Sequence, residues 1–120
     1  LSCKVTELDV WNASMELAKD VFELSRNFPE IENFGLSYQL RTTVTNIPAN
    51  IAAAASRKYG KESLTHLFNA KSDIYHVETQ LYLAEKLAYI SNEELNEILE
   101  SLDSARKLLF GFIKYYKKAS

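Results

Sequence analysis

Residues 61–88 read KESLTHLFNAKSDIYHVETQLYLAEKLA, and apolar side chains recur in this stretch at steps of three and four residues. The recurring positions are Leu67, Ala70, Ile74, Val77, Leu81, Ala84 and Ala88. Such steps keep side chains on one face of an α-helix, and their alternation over several heptads is typical of a helix-bundle seam. The sequence therefore predicts a long helix here that packs along its length against other helices.

Two further apolar periodicities precede this stretch. Residues 8–24 predict a first helix that stops at Asn27-Phe28-Pro29, because the residue before a proline is pushed out of the helical region. We expect its apolar face to carry Leu8, Trp11, Met15, Ala18 and Phe22, beside a second stripe of Val10, Leu17, Val21 and Leu24.

A second helix is predicted from about Asn33 to Gly60. Pro48 lies inside it, removes one backbone donor and crowds the carbonyl of Val44, so we expect a kink or a one-turn break there. The core face of this helix is predicted to be Leu36, Leu40, Val44, Ile47, Ile51 and Ala54.

A fourth helix follows the seam after a very short joint. Ser91 and Glu94 have the spacing of a capping box, and an apolar repeat then follows at Leu95, Ile98, Leu102, Ala105, Leu109, Phe112 and Tyr116. Acids come first in this helix and bases last, which complements the helix macrodipole and gives the basic tail a structural explanation. Because short joints force antiparallel neighbours, the sequence predicts one all-α domain over residues 1–120, an up-down-up-down four-helix bundle with a kinked second helix.

Composition excludes several classes of protein. With three Gly and two Pro in 120 residues, turn-forming residues are too few for an all-β sandwich or barrel. The net charge of −2 argues against a protein whose main task is to hold phosphate backbones, so any nucleic-acid contact would have to come from a local patch. The lone Cys3 fits a reducing compartment, and we find neither a membrane-spanning run nor a secretory leader, so the predicted location is cytoplasmic.

Residues 28–52 carry the most specific pattern of the chain. The strings FPEIENFGL (28–36), QLR (39–41) and IPANIA (47–52) resemble the signature of the bacterial four helix bundle protein family, and residues 70–81 look like that family's third helix. Members are often encoded in intervening sequences of 23S ribosomal RNA genes and are labelled ribosomal proteins. A related branch, the accessory protein of diversity-generating retroelements, binds nucleic acid and a reverse transcriptase.

The resemblance covers nearly the whole chain and implies an up-down bundle that assembles into a homopentamer. The chain departs from the family pattern at Ala53 and Ala54, where the family has Glu-Gly, and at Ser72, Asp73 and His76. A binding surface that depends on the family's Glu and Gly is therefore altered here. We interpret Gln39, Arg41 and Asn50 as partly buried structural groups, within a set of structural motif residues that comprises Pro29, Glu32, Gly35, Gln39, Arg41, Pro48 and Asn50.

A polar stripe also follows the third predicted helix, at Glu62, His66, Asn69, Asp73, His76 and Gln80. Asp73 and His76 have the spacing of one half of a bundle metal site, but both histidines of the chain lie on this helix and leave no second half in a protomer. We therefore predict no metal and no cofactor, and we interpret the stripe as a solvated face. Without a Gly-rich phosphate loop, a nucleophile elbow or a CxxC pair, the sequence also predicts no enzymatic activity.

Tyrosines recur every seven residues beside the seam, at Tyr75, Tyr82 and Tyr89. Tyrosine is enriched at interfaces because one edge of its ring packs while the hydroxyl stays wet. We predict a subunit interface here, and an enlarged intramolecular core is the alternative.

Basic residues cluster in the same half of the chain. Between residues 33 and 71 five cations accompany a single carboxylate, which gives a local balance of +4. Lys58 and Lys61 flank Tyr59, an arrangement that suits phosphate contact with base stacking. We predict Arg57, Lys58, Lys61 and Arg41 as nucleic-acid-binding residues, and a charged corner without a ligand is the alternative.

These observations and the resemblance together predict a non-enzymatic homo-oligomer, a pentamer with an assembly or adaptor role, that binds RNA or single-stranded DNA weakly. One alternative is a protein-interaction module that binds another protein and makes no nucleic-acid contact. The other is a metal-dependent enzyme.

Overall fold

The described residues form four antiparallel α-helices, and the prediction of an all-α bundle is confirmed. The computed structural model describes residues 4–57 and 59–119, so Cys3 and Lys58 lie outside the described residues. The helices are α1 (Asp9–Ser25), α2 (Leu36–Ala55), α3 (Lys61–Lys86) and α4 (Asn92–Ala119). Contacts join α1 to α2, α2 to α3, α3 to α4 and α4 back to α1, so each helix has its chain neighbours beside it.

The core lies where the predicted seams meet. On α3 every predicted seam position up to Ala84 is buried, and on α2 the whole predicted face is buried. The α4 repeat is buried as predicted except at Phe112, which is half-buried while Ile113 takes the core position. One continuous hydrophobic core therefore runs along the four helices.

The core face of α1 differs from the expectation. The second stripe faces inward, with Val10, Leu17 and Val21 buried, whereas Met15 and Phe22 of the predicted main stripe are each 42% exposed. Helix α1 is apolar over a wide arc, so either of its two adjacent stripes could face the core. The periodicity of the sequence alone does not choose between them. Ser14 lies buried between the inward residues and donates to the carbonyl of Trp11, which satisfies its hydroxyl.

Helix α2 starts later and ends earlier than predicted. Residues Glu30–Phe34 form a 3-10 turn of their own, and α2 then runs without a break through Pro48, so a one-turn break is not found. The chain leaves the helical path after Ala55, and Gly60 adopts a φ of 144°, a conformation that favours glycine.

Helix α3 ends at Lys86, two residues before the last predicted seam residue. Ala88 is exposed and has a φ of 61°, so it terminates the helix instead of extending the seam. The amide of Tyr89 donates to the carbonyl of Ala84 and that of Ala88 to the carbonyl of Glu85, the Schellman pattern in which a left-handed residue closes a helix.

Helix α4 begins with the predicted capping box. The amide of Glu94 donates to the Ser91 hydroxyl at 3.0 Å, and the amide of Ser91 donates to the Glu94 carboxylate at 2.9 Å. These two bonds satisfy amides that the first turn of a helix leaves without partners. The turn between α3 and α4 is thus fixed on both sides.

Glu32 connects three parts of the fold at the end where α2 begins. One carboxylate oxygen accepts from the Leu36 amide at 2.9 Å, and the other accepts from the Tyr89 hydroxyl at 2.7 Å. These two hydrogen bonds, the Leu36 bond most, lower the pKa of the Glu32 carboxyl. A Cβ on Gly35 would lie 2.6 Å from the first of these oxygens, so the absence of a side chain at Gly35 lets Glu32 fold over the start of α2.

We expect Gly35→Ala and Glu32→Gln each to lower Tm, because either change disturbs the carboxylate that joins the start of α2 to Tyr89. The two losses should be strongly non-additive in the double variant, since both act through one set of hydrogen bonds. Thermal unfolding of the three variants followed by circular dichroism measures this.

Gly111 provides the matched control. It lies exposed within α4, and a Cβ there would meet nothing within 4 Å. Gly111→Ala should therefore stabilise the fold, by roughly 0.5–1 kcal/mol from helix propensity. Full additivity of the Gly35 and Glu32 changes would contradict the role we assign to the carboxylate.

Candidate nucleic-acid interface

The predicted basic residues occupy two separate places in the fold. Arg57 follows the end of α2 and Lys61 begins α3, so these two lie together, and Lys58 between them is outside the described residues. Arg41 lies sixteen residues before Arg57, which is roughly 24 Å along a helix axis. The structure therefore does not bring Arg41 to the predicted patch.

Arg41 instead joins α1 to α2. Its Nε donates to the Ser25 hydroxyl at 2.9 Å, and its guanidinium lies 5.6 Å from the centre of the Phe22 ring. A half-buried guanidinium that donates a hydrogen bond and lies over an aromatic ring contributes to helix packing. The interpretation of Arg41 as a partly buried structural group fits this geometry, whereas Gln39 on the same helix is exposed.

At the predicted patch, the charge of Arg57 and the ring of Tyr59 already have partners within the protein. Arg57 forms an exposed ion pair with Glu62 on the first turn of α3. The Tyr59 hydroxyl lies 2.8 Å from that of Tyr115, a hydrogen bond that raises the pKa of Tyr59, and its ring packs edge-on at 4.8 Å from the ring of Tyr116. Tyr59 is therefore held against α4 and is not a free stacking platform.

Helix α4 brings further cations to this end of the bundle. Because α4 runs antiparallel to α3, its last two turns, with Lys114, Lys117 and Lys118, lie beside the start of α3. We call the cations of this region, Arg57, Lys61, Lys114, Lys117 and Lys118, the basic end. The opposite end is acidic where α1 meets α4, with Asp20, Glu23, Glu94 and Glu97 around one groove.

The three predicted interface tyrosines have different environments. Tyr75 is 43% exposed and lies 5.2 Å below the guanidinium of Arg106, and Tyr82 is 45% exposed. Tyr89 is half-buried, bonds Glu32 and packs at 5.3 Å from the ring of Phe28. The first two remain on an outer face of α3, whereas Tyr89 serves the protein's own core.

An apolar surface that the sequence analysis missed lies around the start of α2. Ile31 is 84% exposed, Phe34 96% and Tyr38 59%. Large apolar side chains exposed together mark interaction surfaces in soluble proteins. The signal in the sequence was two apolar residues in a short segment that belongs to no helical stripe.

The polar stripe of α3 is divided between solvent and α2. His66 and Asp73 turn to α2 and are bridged by Asn50, whose amide nitrogen lies 3.4 Å from Asp73 Oδ2 and whose oxygen lies 3.2 Å from His66 Nδ1. Burial raises the pKa of the Asp73 carboxyl against the opposing effects of nearby His76 and Asn50. The interpretation of the stripe as a wholly solvated face is therefore wrong for His66 and Asp73.

The described residues show neither a metal-binding cluster nor a membrane span. In residues 4–57 and 59–119, no three His, Cys, Asp or Glu side chains lie close enough to hold a metal ion together. Within the same ranges, no helix has both the length and the apolar character to cross a bilayer.

Comparison with known proteins identifies relatives of this bundle. The model of the 23S rRNA-intervening sequence protein family matches residues 6–111. Among solved structures, a protein of unknown function from the S23 ribosomal protein family of Bacteroides thetaiotaomicron superposes with a TM-score of 0.76 at 27% sequence identity, covering 88% of this chain and 98% of that one. No curated protein matches the chain.

We expect Asn50→Ala to lower the free energy of unfolding by about 1–3 kcal/mol, because the change removes the hydrogen-bond partner that the half-buried His66 and Asp73 share. Equilibrium denaturation in urea measures the loss. Asn69→Ala, at an exposed position on the same helix as His66, is the control and should change stability by less than about 0.5 kcal/mol. Equal stability of the Asn50 variant and the wild type would remove Asn50 from any structural role.

Proposed function

The chain belongs to the 23S rRNA-intervening sequence protein family, and we propose that it works without catalysis, as a homo-oligomer that binds single-stranded nucleic acid weakly through its basic end. The observation that carries this proposal is the meeting of cations from two distant segments at one end. Arg57 and Lys61 come from the α2–α3 joint, and Lys114, Lys117 and Lys118 come from the last turns of α4. Basic patches of this kind bind phosphate backbones.

The proposed binding is weak because a single protomer offers few phosphate contacts. The net charge of −2 also opposes the approach of a polyanion at long range. Several copies in one assembly raise the avidity for a strand without a new contact, provided that the basic ends face the same side. We therefore propose that oligomerisation and nucleic-acid binding act together, as in an assembly or adaptor protein.

A protein-interaction module without nucleic-acid contact is the second candidate. It is favoured by the exposed surface of Ile31, Phe34 and Tyr38, which is chemically suited to another protein and lies away from the basic end. The two functions differ in their salt dependence, because burial of apolar surface is not weakened by the screening that weakens phosphate contacts.

For the assembly, we expect light scattering at micromolar protein to give the mass of a closed ring of five chains. Tyr82→Glu should dissociate it, because the change places a charge on the exposed face of α3. Tyr38→Glu tests the apolar surface at α2 as the alternative interface. A monomer mass for the wild type would end the proposal of a ring.

For nucleic acid, we expect a labelled single strand to bind at about 50 mM salt and to lose roughly 20- to 50-fold in affinity at about 200 mM, from three to four phosphate contacts per protomer. The triple variant with Arg57, Lys58 and Lys61 replaced by Ala should bind far more weakly. Fluorescence anisotropy measures both effects.

The control is a triple variant with the same change in charge, in which the exposed Lys19, Arg26 and Lys86 become Ala. These residues lie away from the basic end, so affinity should stay close to that of the wild type. Absence of binding at the lower salt, or equal loss in the two triple variants, would leave the protein-interaction module as the function.

A further inference from the structure

A groove between α3 and α4 opens at the basic end, and the sequence did not predict that its residues meet there. It encloses about 210 Å³ and is lined by Phe68, Lys71, Phe110, Ile113, Lys114 and Lys117. Phe68 is 40% exposed and Phe110 37%, so both rings are partly open to solvent at its edges. The lining thus combines an apolar floor with three cations.

Two of these lysines each contact an aromatic ring on the opposite helix. Lys71 of α3 places its Nζ 5.1 Å from the centre of the Phe110 ring of α4. Lys117 of α4 places its Nζ 5.3 Å from the centre of the Phe68 ring of α3. The face of an aromatic ring attracts the ammonium group of a lysine. The N–H donors of that ammonium group can still bind an anion.

The charge of this groove is not neutralised by neighbours. Across residues 4–57 and 59–119, no carboxylate forms an ion pair with Lys71, Lys114 or Lys117. The next cation along the same face is different, because Arg106 pairs with both Glu78 and Asp103. The face between α3 and α4 therefore changes from an ion-pair cluster, in which two carboxylates surround one cation, to a basic groove without ion pairs towards the basic end.

The size and chemistry of the groove indicate its ligand. Its volume is smaller than the roughly 300–1,000 Å³ of pockets that enclose whole small molecules. Basic side chains beside partly exposed aromatic rings are the elements with which proteins bind single strands, since the cations contact phosphates and the rings stack bases without regard to sequence. A groove of this size that is open at its edges suits one nucleotide of a longer strand.

We propose that this groove is a nucleotide subsite for single-stranded nucleic acid, with Lys71, Lys114 and Lys117 on the phosphates and with Phe68 and Phe110 against the base. The proposal rests on the proposed function and places the base contact here, since Tyr59 is occupied by Tyr115 and Tyr116. Lys61 lies ten residues before Lys71, roughly 15 Å along α3, so the same strand continues to the joint that carries Arg57.

The test compares two groove variants with a charge-matched control, using labelled oligo(dT) and an oligonucleotide that carries one aminopurine base. The Lys71→Gln, Lys117→Gln variant should lose roughly 10-fold or more in affinity at low salt, and the slope of log affinity against log salt should fall by about 1.4 for two lost phosphate contacts. The Lys86→Gln, Lys107→Gln control removes two exposed cations outside the groove and should bind like the wild type.

The Phe68→Leu, Phe110→Leu variant keeps the apolar floor but removes both rings. We expect it to lose roughly 5-fold or more in affinity and to abolish the quenching of aminopurine fluorescence, while the salt slope stays unchanged. Should it fail to fold, the lysine variant carries the test alone, because Lys71 and Lys117 hold no core position.

Three outcomes would overturn the proposal, and they separate it from the proposed function. If the lysine variant binds like its control while the Arg57, Lys58 and Lys61 variant loses binding, the subsite is wrong and the function stands. If the wild type does not bind at low salt, both fail. If inorganic polyphosphate or an acidic peptide binds as tightly as the strand and aminopurine is not quenched, the groove is a general polyanion site without a base contact.

Discussion

The tight turn between α3 and α4 is the constraint on which the rest of the structure depends. Helix α3 ends at Lys86 and α4 begins at Asn92, and the Schellman pattern around Ala88 and the capping box of Ser91 and Glu94 close both ends of this joint. So short a joint leaves only an antiparallel arrangement. It brings the last turns of α4 beside the first turns of α3, and this creates the basic end and the groove next to it.

The first part of the motif at residues 28–52 lies at the same end of the bundle as that turn and helps to hold this end together. Glu32 caps the start of α2 and holds Tyr89, which follows Ala88 directly, so the residues that give the family its pattern fasten α2 to the α3–α4 joint. Arg41 similarly fastens α2 to α1 through Ser25. These motif residues serve the fold, and the surfaces that we propose for partners lie elsewhere, at the basic end and around Phe34.

Between these two ends the polar link through Asn50 fixes how α2 and α3 face each other. The hydrophobic effect between apolar seams is non-directional, whereas an amide that bridges an imidazole and a carboxylate requires one register of the two helices. Asp73 and His76 stand where the chain departs from its family pattern. Asp73 is thus part of this link, and His76 lies beside it.

The sequence determined the helices, their order and most of the core, because apolar periodicity, capping residues and joint length are local properties that the chain displays directly. It also located the cations near Arg57 and the stripe of Tyr75 and Tyr82. It misjudged the inward edge of α1 and the position of Arg41, since both depend on which neighbour a side chain meets, and it placed the end of α3 two residues too late, because the left-handed backbone of Ala88 closes the helix. Only the tertiary structure decided that Lys71 meets Phe110 and Lys117 meets Phe68. Those partners are about 40 to 50 residues apart in the chain, and no local pattern encodes a contact between them, because it arises from the antiparallel packing of two whole helices.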